Sequence, residues 1–126
     1  MAQIGENFSG GIVFVVTSDG QHGLIAETQD QGRALGDDVQ NRVENPEYHS
    51  EEGKEFNDWY LPGKDELNLL YHQKDVVGGF DGDYYWSSWK EGDTEAWVQR
   101  MDDGSGIMVP TVGPYDNWFV RSIRAF

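Results

Sequence analysis

Three observations predict an α+β domain: an N-terminal β-hairpin, one amphipathic helix near the middle, and a series of strand-like segments after it. The hairpin arms are Gly11 to Val16 (G-I-V-F-V-V) and His22 to Glu27. Between them lies Thr17-Ser18-Asp19-Gly20-Gln21, whose Asp-Gly pair accepts the positive φ that a tight reversal needs. From Thr28 to Asn57 the chain is polar and weakly periodic, punctuated by Gly32, Gly36, Pro46 and Gly53. That stretch is expected to be loop with one short helix. Leu61-Pro62-Gly63 then opens the clearest helix, Lys64 to Gln73. Asp65 and Glu66 occupy its first turn, where carboxylates meet the positive end of the helix dipole. Leu67, Leu70 and Tyr71 fall at i, i+3 and i+4 and make one apolar face, with Leu69 beside it. Gly63 is the expected N-cap, only a few tenths of a kcal/mol poorer than Ser.

Val76 to Asp83 reads as a Gly- and Asp-rich connection. Strands are expected at Tyr84 to Trp89, Glu95 to Met101 and Trp118 to Arg124, with a short one at Ile107 to Val109 after the turn Asp102-Asp103-Gly104-Ser105-Gly106. Pro110, Gly113 and Pro114 break the chain before the last strand. No internal repeat or low-complexity tract occurs. At 126 residues the chain makes one domain, residues 1–126.

Leu, Ile, Val and Phe total 28 residues, a modest share, and 13% aromatics including five Trp supply the remaining core volume. Nine basic against 23 acidic residues give a net charge of −14. A field of that sign repels nucleic acid, anionic lipid and polyanionic glycans, and suits solubility, divalent cations or a basic partner. The absence of cysteine excludes disulfides, a thiolate nucleophile and Cys-ligated metal. Met-Ala-Gln-Ile-Gly-Glu at the start lacks the basic and apolar regions of a signal peptide, and no apolar run is long enough to span a membrane. Synthesis in the cytoplasm followed by assembly onto a virion or another extracellular surface fits that pattern.

Five phrases stand in a telling order: Gly10-Gly11-Ile12-Val13-Phe14, Gln21-His22-Gly23-Leu24-Ile25-Ala26, Asp58-Trp59-Tyr60-Leu61-Pro62 with Lys64-Asp65-Glu66-Leu67, Tyr85-Trp86-Ser87-Ser88, and Phe119-Val120-Arg121-Ser122-Ile123-Arg124-Ala125-Phe126. Together they resemble the Lcl C-terminal domain family, the bacterial domain that closes collagen-like adhesins, over nearly the whole chain. The resemblance implies a C-type-lectin-like fold with paired terminal strands, one or two helices and a second small antiparallel sheet. It implies a surface-display and binding module without an established active site. Similar folds serve as phage receptor-binding and hypervariable proteins and as parts of virions. Gly63 stands where the family often has Ser, and the stretch between Ala26 and Trp59 looks shortened. Some family members are linked to sulfated glycans, which the −14 charge opposes here.

Candidate site residues follow. On a regular strand Trp86 and Ser88 face one side and Ser87 and Trp89 the other, so one Trp packs inward and one is free to stack on a sugar or a partner. Core packing of both is the plainer alternative. Arg121 and Arg124 point to opposite faces of the last strand; either a partner carboxylate or, more economically, an internal acid pairs each. Trp86, Ser88, Trp89 and Arg121 are thus the ligand-binding candidates. Asp81, Asp83, Asp102 and Asp103 lie in loops flexible enough to offer oxygen ligands to calcium, with Glu91 and Asp93 nearby. The lectin calcium signature is missing, and a solvated acidic face explains the same residues. His22, His49 and His72 share no metal-ligand spacing. No Gly-x-Ser-x-Gly elbow is present, and fold relatives that oxidise sulfatase cysteines need cysteines of their own. The sequence therefore points to a non-catalytic interaction module forming a homo-oligomer, either a capsid decoration or tail-associated protein of a phage or a carbohydrate-binding adhesin domain, and not to an enzyme.

Overall fold

The computed structural model describes residues 2–126 and shows an α+β arrangement of nine strands in two sheets with three short α-helices. In the first sheet the order is β1 (Asn7–Phe8), β2 (Gly11–Val16), β3 (Gly23–Ala26) and β9 (Ile123–Ala125), all antiparallel. The expected hairpin is β2–β3, closed where Gly20 takes φ +72° and Asp19 Oδ1 accepts the Gln21 amide. The C-terminal strand β9 pairs with β3, so the end of the chain closes onto the N-terminal hairpin.

In the second sheet the order is β4 (Arg33–Leu35), β8 (Asn117–Phe119), β5 (Tyr84–Glu91), β6 (Glu95–Arg100) and β7 (Gly106–Pro110). Two expectations are corrected here. The segment Trp118 to Arg124 is not one strand: β8 lies in the second sheet and β9 in the first, and Val120–Ser122 crosses between them. Nor is the second sheet the smaller one or wholly antiparallel, because β8 runs parallel to β5. The cause is a hydrogen-bond switch at the crossing. The amides of Val120 and Ser122 donate to the Gly32 carbonyl and the buried Gln31 side chain, which peels the backbone off one sheet before Ile123 joins the other.

The polar stretch after Ala26 holds more structure than one short helix. It contains β4, α1 (Val39–Glu44) and three 3-10 turns, at Gly36–Asp38, Pro46–Tyr48 and Gly53–Glu55. Helix α2 spans Lys64–His72 with Gly63 as N-cap, as expected, and α3 (Lys74–Val77) adds a turn. Gly63 has no side chain to offer the helix, but Glu66 reaches back to accept the Gly63 amide at 2.9 Å, half of a capping box. No helix of the described residues is long and apolar enough to cross a membrane.

The first sheet is buried on both faces. Val13 and Ile25, cross-strand partners, join Val39, Val43, Trp59, Trp86, Val98 and Val120 in one cluster. Phe14, Ala26 and Ile123 join Leu67, Leu70, Val77 and Tyr85 in another, under α2 and α3. Aromatics thus do fill the core: Trp86 and Tyr85 are among the largest fully buried side chains.

Candidate functional site

Strand β5 departs from regular pleating where its sequence reads Trp86-Ser87-Ser88-Trp89. Trp86 pairs with Val98 and Lys90 with Ala96, so three β5 residues oppose the single Trp97. Such a bulge twists the strand and re-aims side chains. The Ser88 amide, freed from the ladder, donates to the Pro62 carbonyl at 2.8 Å and ties the bulge to the start of α2. Ser87 turns inward, its hydroxyl donating to the Trp97 carbonyl at 2.7 Å. Alternation is lost, and Ser87 is buried while Ser88, Trp89, Lys90 and Glu91 are all exposed.

Beside the bulge a cleft of about 420 Å³ opens, within the usual size of small-ligand sites. Buried Val39, Trp86 and Ala96 with half-buried Leu61 give it apolar lining. Polar groups come from Gln40, Tyr60, Ser87, Ser88, Lys90 and Thr111, with Gly36 between them. Gly36 is there because the Thr111 carbonyl passes about 2.2 Å from where a Cβ would lie. The Trp86 indole is fixed by its N–H to the Ala34 carbonyl, 2.8 Å. The Tyr60 hydroxyl donates to Glu66 at 3.0 Å, and burial together with that carboxylate pushes its pKa up to about 12, so it stays a neutral phenol. Among the described residues Lys90 forms no ion pair.

Two of the four candidate ligand-binding residues, Trp86 and Ser88, line this cleft. Trp89 does not. It is 41% exposed, and the Lys64 ammonium sits 4.7 Å from its ring centroid and 4.2 Å from that of Trp97. One indole faces in and one faces out, as alternation suggested, although the strand between them is bulged.

Arg121 is not part of the cleft lining; it lies in the crossing between β8 and β9, and its side chain is fully buried. Its Nε donates to Asp30 at 2.9 Å, and its two terminal nitrogens donate to the carbonyls of Glu27, Gly78 and Gly79. Phe80 covers its face at 4.1 Å. Asp30 accepts a second bond from the Tyr85 hydroxyl, 2.8 Å. Burial pushes the Asp30 carboxyl up against the pull of Arg121, and burial raises Tyr85 as well. Arg124 pairs with Asp58 at 2.7 Å and covers Phe56. Both arginines are therefore spent inside the protein.

A third polar group under the surface involves His49 and Glu27. His49 Nδ1 meets Glu27 Oε2 at 2.9 Å, and Nε2 meets the Val43 carbonyl at 2.7 Å. Both ring nitrogens lie against oxygen atoms, which fixes the imidazole from two sides. Burial alone would raise the Glu27 carboxyl, but hydrogen bonds from His49, Ser50 and Thr28 hold it below the ordinary carboxylate value. Trp59 stacks on the imidazole at 5.2 Å, which makes this a fold-locking cluster with no open face.

The loop acids close turns and pair with arginine. Asp81 Oδ1 accepts the Asp83 amide, and Asp83 reaches Arg33 at 3.4 Å. Asp102 pairs with Arg100 at 2.9 Å, while Asp103 Oδ1 accepts both the amide and the hydroxyl of Ser105 and is thereby lowered. Among the described residues no three His, Asp or Glu side chains converge as metal donors would.

Sequence reasoning missed Gln40, Tyr60, Leu61, Lys90 and Thr111, which reach the cleft from four separate segments. Only the unusual Trp-Ser-Ser-Trp run pointed to β5. No family model and no curated protein sequence matches the chain. The cleft therefore stands on its own geometry, and the family resemblance on its five ordered phrases.

Proposed function

We propose that the chain is a non-catalytic surface-display and interaction module of C-type-lectin-like fold, and that the cleft at the β5 bulge holds a neutral, sugar-sized group of the surface it contacts. The lining of the cleft carries this reading. Trp86, Val39, Leu61 and Ala96 offer an apolar surface to the C–H face of a sugar, and Ser88, Gln40, Thr111 and Lys90 stand ready to meet hydroxyls. The −14 charge disfavours anionic ligands at long range. Two sheets with the C-terminal strand closing on the N-terminal hairpin support the lectin-like fold. A phage virion, as capsid decoration or tail-associated protein, is the setting proposed first, and it rests on the resemblance. A carbohydrate-binding adhesin domain of a secreted protein is the second, favoured by the exposed indole of Trp89 beside the same bulge.

The test is a glycan array probed with the chain mounted on streptavidin tetramers, since multivalency reveals weak sites. Wild-type protein is expected to bind a restricted set of neutral glycans, and Ser88→Trp, which fills the cleft, to lose them with its urea midpoint unchanged. Equal binding by both proteins, or none across the array, overturns the reading. Loss in Trp89→Ala with Ser88→Trp unaffected moves the site to the outer face.

A further inference from the structure

Strand β7 is the free edge of the five-stranded sheet, and its chemistry is unusual for this protein. From Gly104 to Tyr115 there is no charged residue, in a chain of net charge −14. Native edges are commonly guarded by charge, and this one is not. Ile107 is 46% exposed on it, and Val112 and Tyr115 just beyond are 65% and 89% exposed. Hydrogen bonds at both ends fix which backbone groups are unpaired. Arg100 N–H donates to the Ser105 carbonyl and Thr111 N–H to the Thr94 carbonyl, so the odd-numbered residues of β7 bond to β6 and the even-numbered ones point outward. The outward groups are the amides of Gly106 and Met108 and the carbonyls of Gly106, Met108 and Pro110. Pro110 has no amide to leave bare.

We propose that a second copy of this chain docks here, β7 against β7, antiparallel about Met108, joining the two five-stranded sheets into one. In that register each Met108 amide bonds the Met108 carbonyl of the partner subunit, and each Gly106 amide bonds the Pro110 carbonyl of the partner subunit. Every outward amide of the strand then has an acceptor. Ile107 lies in register with the partner's Val109, and the docked strand as a whole covers its open side. The charge pattern selects this occupant. A basic partner finds no carboxylate along the strip, whereas two strongly acidic copies can approach one another only where neither carries charge. The contact runs along the outer edge of the strand, and the cleft adjoins it only through Thr111, the residue after Pro110.

Sedimentation equilibrium tests the proposal, at about 0.01 M and about 1 M salt, where the screening length falls from about 30 Å to about 3 Å. Dimer formation is expected to strengthen with salt. Met108→Pro, which removes an outward amide without touching the β6 ladder, and Ile107→Lys, a change at an already half-exposed side chain, are each expected to weaken it by roughly tenfold or more. Near-ultraviolet circular dichroism shows that both variants are folded. A monomer at every concentration in 1 M salt, association that weakens with salt, or either folded variant associating like wild type overturns it.

Discussion

Replacing Arg121 by Met separates a structural arginine from a ligand-binding one. Methionine keeps most of the aliphatic volume against Phe80 and removes the guanidinium. Asp30 is then left with only the Tyr85 hydroxyl, and the carbonyls of Glu27, Gly78 and Gly79 lose a donor. Breaking a buried pair from one side costs about 3–5 kcal/mol. Each bare acceptor that water cannot reach adds about 1 kcal/mol, though such terms do not sum. A net loss of about 4 kcal/mol is expected, against a total of about 5–15 kcal/mol for a domain. With a urea slope of about 2 kcal/mol/M, the midpoint falls by about 2 M, read by tryptophan fluorescence. Asp30→Asn in the same chain should recover part of the loss by removing the stranded carboxylate. The deficit should also narrow on mild acidification, because the Asp30 carboxyl, already raised by burial, takes up a proton more readily without its cation. A loss under about 1 kcal/mol, the worth of an exposed pair, would refute the reasoning. Glycan binding lost with stability intact would return Arg121 to the ligand.

Stability should fall with acid through Glu27, whose carboxyl is lowered in the folded protein. Its contribution is complete above the unfolded value and is lost as the pH drops through the folded one. Glu27→Gln is expected to cost about 2–3 kcal/mol at pH 7 and to flatten the profile between roughly pH 5 and 3; urea midpoints across that range check it, and parallel profiles contradict it. Gly63→Ser should stabilise by a few tenths of a kcal/mol, about 1 °C in melting temperature. The Gly63 backbone at φ −67° accepts a side chain, and the new Cβ meets Glu66 Oε1 at an ordinary 3.4 Å. An unchanged or lower melting temperature counts against the half-capping-box description.

Segments whose local signals agree with their tertiary setting were legible in the sequence: β2 in full, the Asp19-Gly20 turn, the start of α2, and β5, β6 and β7 to within a residue or two. What failed was non-local. Phe119-Val120-Arg121-Ser122-Ile123 reads as one continuous strand because β-branched and aromatic residues recur through it, yet side-chain acceptors from Gln31 and backbone from Gly32 divide it. Strand β4 is three residues long and exists only because β8 pairs with it. The bulge at Ser87–Trp89 carries no Gly or Pro to announce it, so the strict alternation drawn for Trp86 to Trp89 could not hold. Trp86 and Ser88 line the cleft together, on the shared side that regular alternation already gives them, but the residues opposite them come from segments whose proximity no spacing rule encodes. Arg121 was recognisable as a paired cation from the acidic composition, but its carbonyl cage was not.

The claim that matters most is that the cleft beside Trp86 is where this domain touches its ligand. Fluorine NMR of chain labelled with 5-fluorotryptophan tests it directly, because the five tryptophans report separately. On titration with a panel of neutral mono- and disaccharides, the Trp86 resonance should move saturably. Trp59, stacked on His49, and Trp118, packed on Tyr84, should stay still. A panel that leaves Trp86 unmoved, or that shifts only the other tryptophans, contradicts the account.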